Sequence, residues 1–421
     1  MTYAVPARRA SRFTTAVAAN IGCAFEWYDL VLYASFAVTL SKQFFRTANP
    51  STSVLLSLGT FAIAWLVRPL GAIVIGAYSD RAGRKPGLIL SAGLMMVGTL
   101  ITAVLPNYDA IGIAAPILLV VARMIQGFSA GGEFGSATAL LAEQDKTRRG
   151  FYASLQWAAS GFAVFMASMF AYVINSSLAP AEVESWGWRI PFLFGLLIGP
   201  VAYYIRTRLD EPEEFLTAGH SDAPLSEIVA EDKLRVLAGA GIVAAGAAGS
   251  FMNNYMPTYA ITKMGLPAST ALIGSIVGGV INTLLPPLFG HLSDVYGRIR
   301  IMGTFGVLGL LMIYPAFLWL VASPRVETLV TIQALLALVF YCGYYSTVPA
   351  ALSELFPIRR RTTGISIAYV LAQLVFGGVT PLVIVWIIDV TGNPSSPGLY
   401  LTAVAALSLL CLIACRRFGV R

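Results

Sequence analysis

Charge is what this 421-residue chain has least of. Only 12% of its residues are Asp, Glu, Lys or Arg, against about 25% in ordinary soluble domains, while 57% are hydrophobic. That balance excludes a disordered chain and a water-soluble enzyme. Cysteine is nearly missing as well. Cys23, Cys342, Cys411 and Cys415 all lie in apolar runs, which excludes a disulfide scaffold. Cys411 and Cys415 share a helix face, but no histidine lies near them, and they read as small hydrophobes. There are two histidines, His220 and His291, read as solvated or pairing groups. No Ser/His/Asp constellation or His/Glu metal motif falls inside an apolar run, so an intramembrane enzyme is not expected. No G-x-x-x-x-G-K-[ST] sequence occurs, and no loop has room for a nucleotide domain, which excludes an ATP-driven pump. No cofactor and no metal are expected.

What is present is a succession of apolar runs: 17–41, 52–78, 87–106, 114–142, 151–176, 189–205, 236–262, 268–292, 299–322, 326–350, 362–389 and 397–415. Twelve spans of about 20 residues use roughly 240 positions, close to the apolar share of the chain. The first run contains Glu26 and Asp29, so it is not the h-region of a cleaved signal peptide.

The formal charge of +7 points to nucleic acid only until the basic residues are placed. The N-terminal tail carries Arg8, Arg9 and Arg12, and loops on the same side carry Arg81, Arg84 and Lys85, then Lys146, Arg148 and Arg149, then Arg206, Arg208, Lys233 and Arg235. The second half continues with Arg298 and Arg300, Arg359 to Arg361, and Arg416, Arg417 and Arg421. The opposite side has Lys42, Arg46, Arg189, Lys263 and Arg325. The positive-inside rule then places both termini in the cytoplasm, leaving no surface for nucleic acid. Residues 206–235, of which 12 of 30 are charged, read as a cytoplasmic linker between six-helix units 1–205 and 236–421. Only four residues follow Arg417, too few for a signalling domain, so a membrane sensor is expected less than a transporter.

The two halves repeat one another. Gly76-Ala-Tyr-Ser-Asp80-Arg81-Ala-Gly83-Arg84-Lys85 follows span 2, and Gly290-His-Leu-Ser-Asp294-Val-Tyr-Gly297-Arg298 follows span 8, 214 positions on. Glu143 with Arg148-Arg149-Gly150 corresponds to Glu354 with Arg359-Arg360-Arg361 and Gly364. The first glycine of the motif lets helices approach closely. The aspartate can cap a helix or pair with an arginine, and the second glycine permits a tight turn. Such a charged tether is suited to break and re-form between states.

This doubled loop in a twelve-span chain resembles the signature of the major facilitator superfamily. Gly22-Cys-Ala-Phe-Glu26-Trp27-Tyr28-Asp29, Arg68-Pro69-Leu-Gly71, Arg123-Met-Ile-Gln126-Gly127-Phe-Ser-Ala-Gly131-Gly132-Glu133, Trp186-Gly187-Trp188-Arg189-Ile-Pro191, Tyr255-Met-Pro257-Thr-Tyr259 and Glu354-Leu-Phe-Pro357 resemble its metabolite:proton symporter family. The likeness covers nearly the whole chain. Pro257-Thr-Tyr259, Phe376-Gly377-Gly378-Val-Thr-Pro381 and Thr391-Gly392 with Ser395-Ser396-Pro397-Gly398 are most similar to bacterial citrate and tricarballylate symporters, and relatives for 2-oxoglutarate, shikimate or betaines share parts of them. Cys23 stands where many relatives have Asn. The resemblance implies an all-α membrane protein, with twelve transmembrane helices in two pseudo-symmetric six-helix bundles around a central cavity. It implies a lipid-embedded monomer of the bacterial inner membrane that imports a small carboxylate with protons.

Ionisable groups inside a membrane cost about 2.5–3.5 kcal/mol each on insertion scales, so each is a functional candidate. Five lie within spans: Glu26, Asp29, Arg68, Arg123 and Glu133. All are in the first half; the second half offers neutral polar groups. Asp29, Glu26 and Glu133 are the expected proton carriers. Arg123, Arg68, Tyr28, Gln156, Asn254, Tyr255, Tyr345 and Gln373 are the expected substrate contacts. A static network locking spans 1, 2 and 4 is the alternative for Arg68 and Glu133, and a packing seam is the alternative for the tyrosines of span 10. In the coupling scheme an ionised carboxylate holds an arginine. Protonation releases the arginine to a substrate carboxylate, and the neutralised centre is enclosed as the halves rock. Two arginines against three acids leave the core one negative charge in excess, so a trianion requires at least one acid to be protonated.

Overall fold

The computed structural model describes residues 12–46, 50–207, 227–266 and 268–420. Expectations resting on Arg8, Arg9, Arg208, His220 and Arg421 lie outside the described residues. Among the described residues twelve helical spans follow one another. They are α1 (Arg12–Ser35, continued by Ala37–Phe44), α2 (Pro50–Ala82), α3 (Arg84–Val104), α4 (Ala114–Ala142), α5 (Arg149–Ser177) and α6 (Arg189–Leu196 and Ile198–Thr207). The second half has α7 (Lys233–Met264), α8 (Ala268–Leu284 and Pro286–Tyr296), α9 (Arg298–Ala322), α10 (Val326–Leu336 through to Val348–Leu355), α11 (Arg361–Ala372 and Thr380–Thr391) and α12 (Ser396–Cys415). Among the described residues eight helices are long and apolar enough to cross a membrane, nine if the bent pair of α8 is one span. The run of α1 is interrupted by Glu26 and Asp29, and α6 is broken at Leu197.

Antiparallel neighbours are joined by the shortest possible connections at the duplicated motif. The helix runs on through Asp80 to Ala82, and Gly83 alone, at φ 116°, turns the chain into α3. Gly297, at φ 92°, does the same between α8 and α9. The sequence reading placed the motif in a loop; most of it is helix, with a one-residue turn that only glycine enters without strain. This end of the molecule carries the arginine clusters and is called the basic end below.

Within the first half α2 and α3 pack on α4, and α1 on α5; within the second, α9 and α7 pack on α12, and α7 on α11. The halves meet where α11 lies against α2 and α4, and where α5 lies against α8 and α10. Glycine sets these distances. A Cβ on Gly127 would stand 2.1 Å from the Ala64 carbonyl oxygen, and one on Gly131 2.1 Å from that of Arg68, so the α2–α4 backbones touch. Across the halves, a Cβ on Gly135 would meet the Thr362 carbonyl oxygen at 2.7 Å and one on Gly161 the Asn282 carbonyl oxygen at 2.5 Å. Gly127→Val is therefore expected to cost about 1–3 kcal/mol by overpacking and to lower the thermal midpoint. Gly161→Val, at a contact between the halves rather than within one, is expected to give a smaller thermal loss; equal thermal losses would show that the two contacts do not differ in kind.

Besides the breaks in α1 and α6, three further spans depart from the regular helices expected. Residues 268–292 read as one span, but α8 bends by 43° ahead of Pro286, which supplies no N–H and crowds the preceding turn. In α10 the turns at Ala337–Tyr344 widen to π-helix and Tyr345–Thr347 tighten, and in α11 Gln373–Gly378 widen likewise. Such insertions often mark functional sites.

Candidate functional site

The close α2–α4 contact brings four spans to one charged pocket. Glu26 and Asp29, three apart on α1, share a face, and each meets a different arginine. Arg68 of α2 donates to Glu26 at 2.7 Å, and Arg123 of α4 donates to Asp29 Oδ2 at 2.7 Å. Thr99 Oγ1 of α3 donates to Asp29 Oδ1 at 3.1 Å and accepts from Gln126 Nε2 at 2.9 Å. All four charged groups are buried. Each guanidinium also lies over an aromatic ring, Arg68 over Trp65 at 3.5 Å and Arg123 over Tyr33 at 4.0 Å. Glu133 is buried nearby on α4 and is hydrogen-bonded to Ser91 of α3, and Ser129 donates to the Ser91 carbonyl at 2.6 Å.

Both ion pairs line a cavity of ≈ 30 Å³, whose walls include Glu26, Asp29, Trp65, Arg68, Arg123 and Gln126. Arg68 Nε, Arg123 Nε and Nη2, and Gln126 Oε1 are buried and make no hydrogen bond among the described residues. Donors in this state carry a full desolvation cost, so the pocket is chemically unfinished. Its two arginines can turn an N–H toward a further acceptor without giving up the carboxylate they hold.

Of the expected substrate contacts, Arg68 and Arg123 line this cavity and the neutral ones do not. Tyr28 lies away from the cavity. It lies two residues from Glu26, on the opposite face of α1, where its hydroxyl donates to the Pro191 carbonyl at 2.9 Å and its ring meets Phe170 and Phe194. Gln156 accepts from Thr138 Oγ1 at 2.7 Å and approaches Cys23. Gln373, in the widened stretch of α11, donates at 2.8 Å to the hydroxyl of Tyr345, in the tightened turn of α10. Around them a seam of rings closes the centre: Trp157 against Tyr345 at 4.2 Å and Tyr341 at 5.4 Å, and Phe134 stacked on Tyr369. Asn254 is exposed on the α7 face that carries Phe251, and Tyr255 is half-buried near Asp389. Trp65 lines the cavity, and Thr99 and Ser91 hold Asp29 and Glu133; none of the three was singled out in the sequence, and Gln126, also in the lining, was numbered only as part of the span 4 motif. Trp65 could have been found there, since it lies three residues before Arg68 on the same face.

At the basic end the repeat becomes a pair of cross-half latches. Asp80 pairs with Arg84 and accepts from Thr363 N at 2.8 Å and from Thr363 Oγ1, at the start of α11. Asp294 pairs with Arg298 at 2.6 Å and accepts from Gly150 N at 2.8 Å and Phe151 N at 2.9 Å, at the start of α5. Both helices begin behind an arginine, Arg148 or Arg360, that makes no side-chain cap. The aspartate of the other half therefore caps each one and meets its positive dipole end. Glu143 binds Arg361 at 2.9 Å and Arg84 at 3.4 Å, and Glu354 binds Arg298 at 3.2 Å. Gly76 lies against Thr363, and Gly290 against Gly150 and Ser154. Arg81 is exposed.

The profile of the family described as "Sugar (and other) transporter" matches residues 14–232 and 220–417. The chain is 35% identical to the citrate-proton symporter of Salmonella typhi over 95% of its own length and 93% of the relative's. It is 31% identical to the alpha-ketoglutarate permease of Escherichia coli, over 97% and 94%. Among solved structures it resembles the major facilitator superfamily proton:xylose symporter XylE, with TM-score 0.77 and 18% identity over 97% of this chain and 95% of that one.

Proposed function

Because the chain belongs to the sugar (and other) transporter family within the major facilitator superfamily, we propose that it is a proton-coupled symporter importing a small carboxylate, citrate or a related tricarboxylate, by alternating access. The observation that carries this reading is the pair of buried ion pairs with unfinished arginine donors. Each arginine is held by an acid that a proton can neutralise, and each keeps an N–H for a second carboxylate. Proton and anion then load together, since the core with Glu26, Asp29 and Glu133 all ionised carries one net negative charge and does not attract a polyanion. The similarity to citrate-proton symporters supports the same substrate class.

In this reading Asp29 and Glu26 carry the coupled protons, with Glu133 as a third acid, while Arg123 and Arg68 receive the substrate's carboxylates. Asn254 and Tyr255 of α7, Gln156, and the Tyr345–Gln373 pair contribute once the aromatic seam opens. The units 1–205 and 236–421 rock about the pocket as single monomeric bodies linked by 206–235. The basic end and both termini face the cytoplasm of a bacterial-type cell, and the latches of Asp80 and Asp294 close the cytoplasmic side. Purified protein in vesicles is expected to accumulate labelled citrate when the exterior is acidic, with unlabelled tricarballylate competing better than 2-oxoglutarate or betaine. Competition by betaine alone would replace the carboxylate with another metabolite.

A further inference from the structure

Trp65 is the wall of the charged cavity that faces the other half. Its indole lies over the Arg68 guanidinium, 3.5 Å from Cζ to ring centroid, while Arg68 is held by Glu26 at 2.7 Å. The ring also meets Phe251 of α7 edge to face, with centroids 4.9 Å apart at 73°. Gly378 of α11 is just as near: a Cβ there would stand 3.4 Å from Trp65 Cγ. Trp65 is 3% exposed. One ring is thus shared between a cation whose anchor titrates and the second half of the molecule. Pro69 follows Arg68 within α2 and supplies no N–H to the Trp65 carbonyl one turn back, which loosens the backbone at this ring.

The cavity behind the ring, ≈ 30 Å³, has room for about two water molecules and none for a metabolite bearing carboxylates. A substrate carboxylate reaching Arg68 or Arg123 from between the halves has to displace something, and the ring is what stands there. We propose that Trp65 is the lid of the ion-pair cavity, latched by Arg68 while Glu26 holds that arginine and released when Glu26 is protonated. The inference rests on the symport reading above and deepens it: the lid lets substrate reach the arginines only in the protonated state, which prevents uncoupled entry.

The groups facing Glu26 and Arg68 are Asp29 and Cys23 on α1, Arg123 and Glu133 on α4, and Tyr369 on α11; α3 presents Ser91 and Met95. Cys23 and Tyr369 carry no charge near neutral pH, and Asp29 is held by Arg123. Glu26 is the acid paired with the guanidinium under the ring.

Met95 lines the cavity without joining an ion pair, so Met95→Cys reports access to it. Labelling of the purified full chain by a small cationic methanethiosulfonate is measured above the background of the native thiols. It is normalised at each pH to an exposed Lys146→Cys reference, which removes the intrinsic pH dependence of thiol reactivity. With Trp65 present, normalised labelling is expected to rise about tenfold between about pH 8 and about pH 5.5. Trp65→Ala makes it high and independent of pH, and Trp65→Phe, which keeps a ring over the cation, restores the pH dependence. Phe251→Ala removes only the seat of the ring in the second half and raises labelling while keeping its pH dependence, a second check should Trp65→Ala fold poorly. Labelling that stays flat in the parent, or that keeps the parent's pH dependence in Trp65→Ala, overturns the lid. The assay needs no transport: pH-dependent labelling without citrate uptake overturns the substrate assignment and leaves the lid standing.

Discussion

Asp29→Asn abolishes proton-driven accumulation and leaves counterflow exchange running. The side chain keeps its shape, and its oxygen still accepts from Thr99 Oγ1, as the protonated aspartic acid does. What it loses is the charge that holds Arg123 and the site that carries a proton. One pH unit is worth about 1.4 kcal/mol, or about tenfold accumulation for each coupled proton. The variant is expected to lose that factor and to equalise labelled substrate across the membrane. Asp29→Glu, which keeps the charge at a displaced position, is expected to retain coupling at a reduced rate. Unimpaired accumulation in Asp29→Asn would remove Asp29 from the coupling step. Glu26→Gln tests the other pair differently, because Arg68 is then left charged, buried and without its acid, a change worth about 3–5 kcal/mol in stability. A comparison with Glu26→Gln/Arg68→Gln separates that stability loss from coupling.

The second large effect is expected at the latches. Replacing Asp80 and Asp294 together by Asn weakens the charge-assisted bonds that tie α11 to the first half and α5 to the second. Hydrogen bonds to charged groups contribute about 1.5–3 kcal/mol each, so losing one such bond at each seam shifts a two-state balance by at least about a hundredfold. Spin labels at the exposed positions Lys146 and Arg300, one in each half, are expected to gain a longer distance population in Asp80→Asn/Asp294→Asn. Transport falls because the basic end no longer closes. An unchanged distance distribution would show that the latches do not set the resting state. The single variants are expected to give intermediate distributions, since the two aspartates act on different seams.

The sequence discloses these two sites unequally. The latches were nearly readable from the repeat alone: Gly83 and Gly297 make the same turn, and Asp80 and Asp294 stand one helical turn before Arg84 and Arg298. That each aspartate caps the helix of the opposite half was hidden, because the cap is formed between residues more than a hundred positions apart and the local cap positions, Arg148 and Arg360, give no sign of it. In the pocket, charge in a hydrophobic run marked Glu26, Asp29, Arg68, Arg123 and Glu133. Which acid meets which arginine depends on the α2–α4 approach set by Gly127 and Gly131, and no spacing along α1 encodes that. Tyr28 was drawn in by its neighbours and lies on the opposite face. Ser91 and Thr99 are ordinary polar residues of a membrane helix, marked only by what they touch. The bend of α8 was announced by Pro286, whereas the break of α1 at Phe36 has neither proline nor glycine beside it. The widened turns of α10 and α11 lie beside the Tyr345–Gln373 contact and the ring seam, which are tertiary and leave no mark in the local sequence.

The measurement that bears most directly on coupled loading is made in vesicles enclosing a pH-sensitive dye, with no gradient imposed, when labelled citrate is added outside. Acidification of the interior in step with citrate entry is expected, with Asp29→Asn losing the acidification while still exchanging citrate. Citrate entering at full rate with no change in internal pH would contradict the account, because the arginines would then be taking substrate without their acids taking protons.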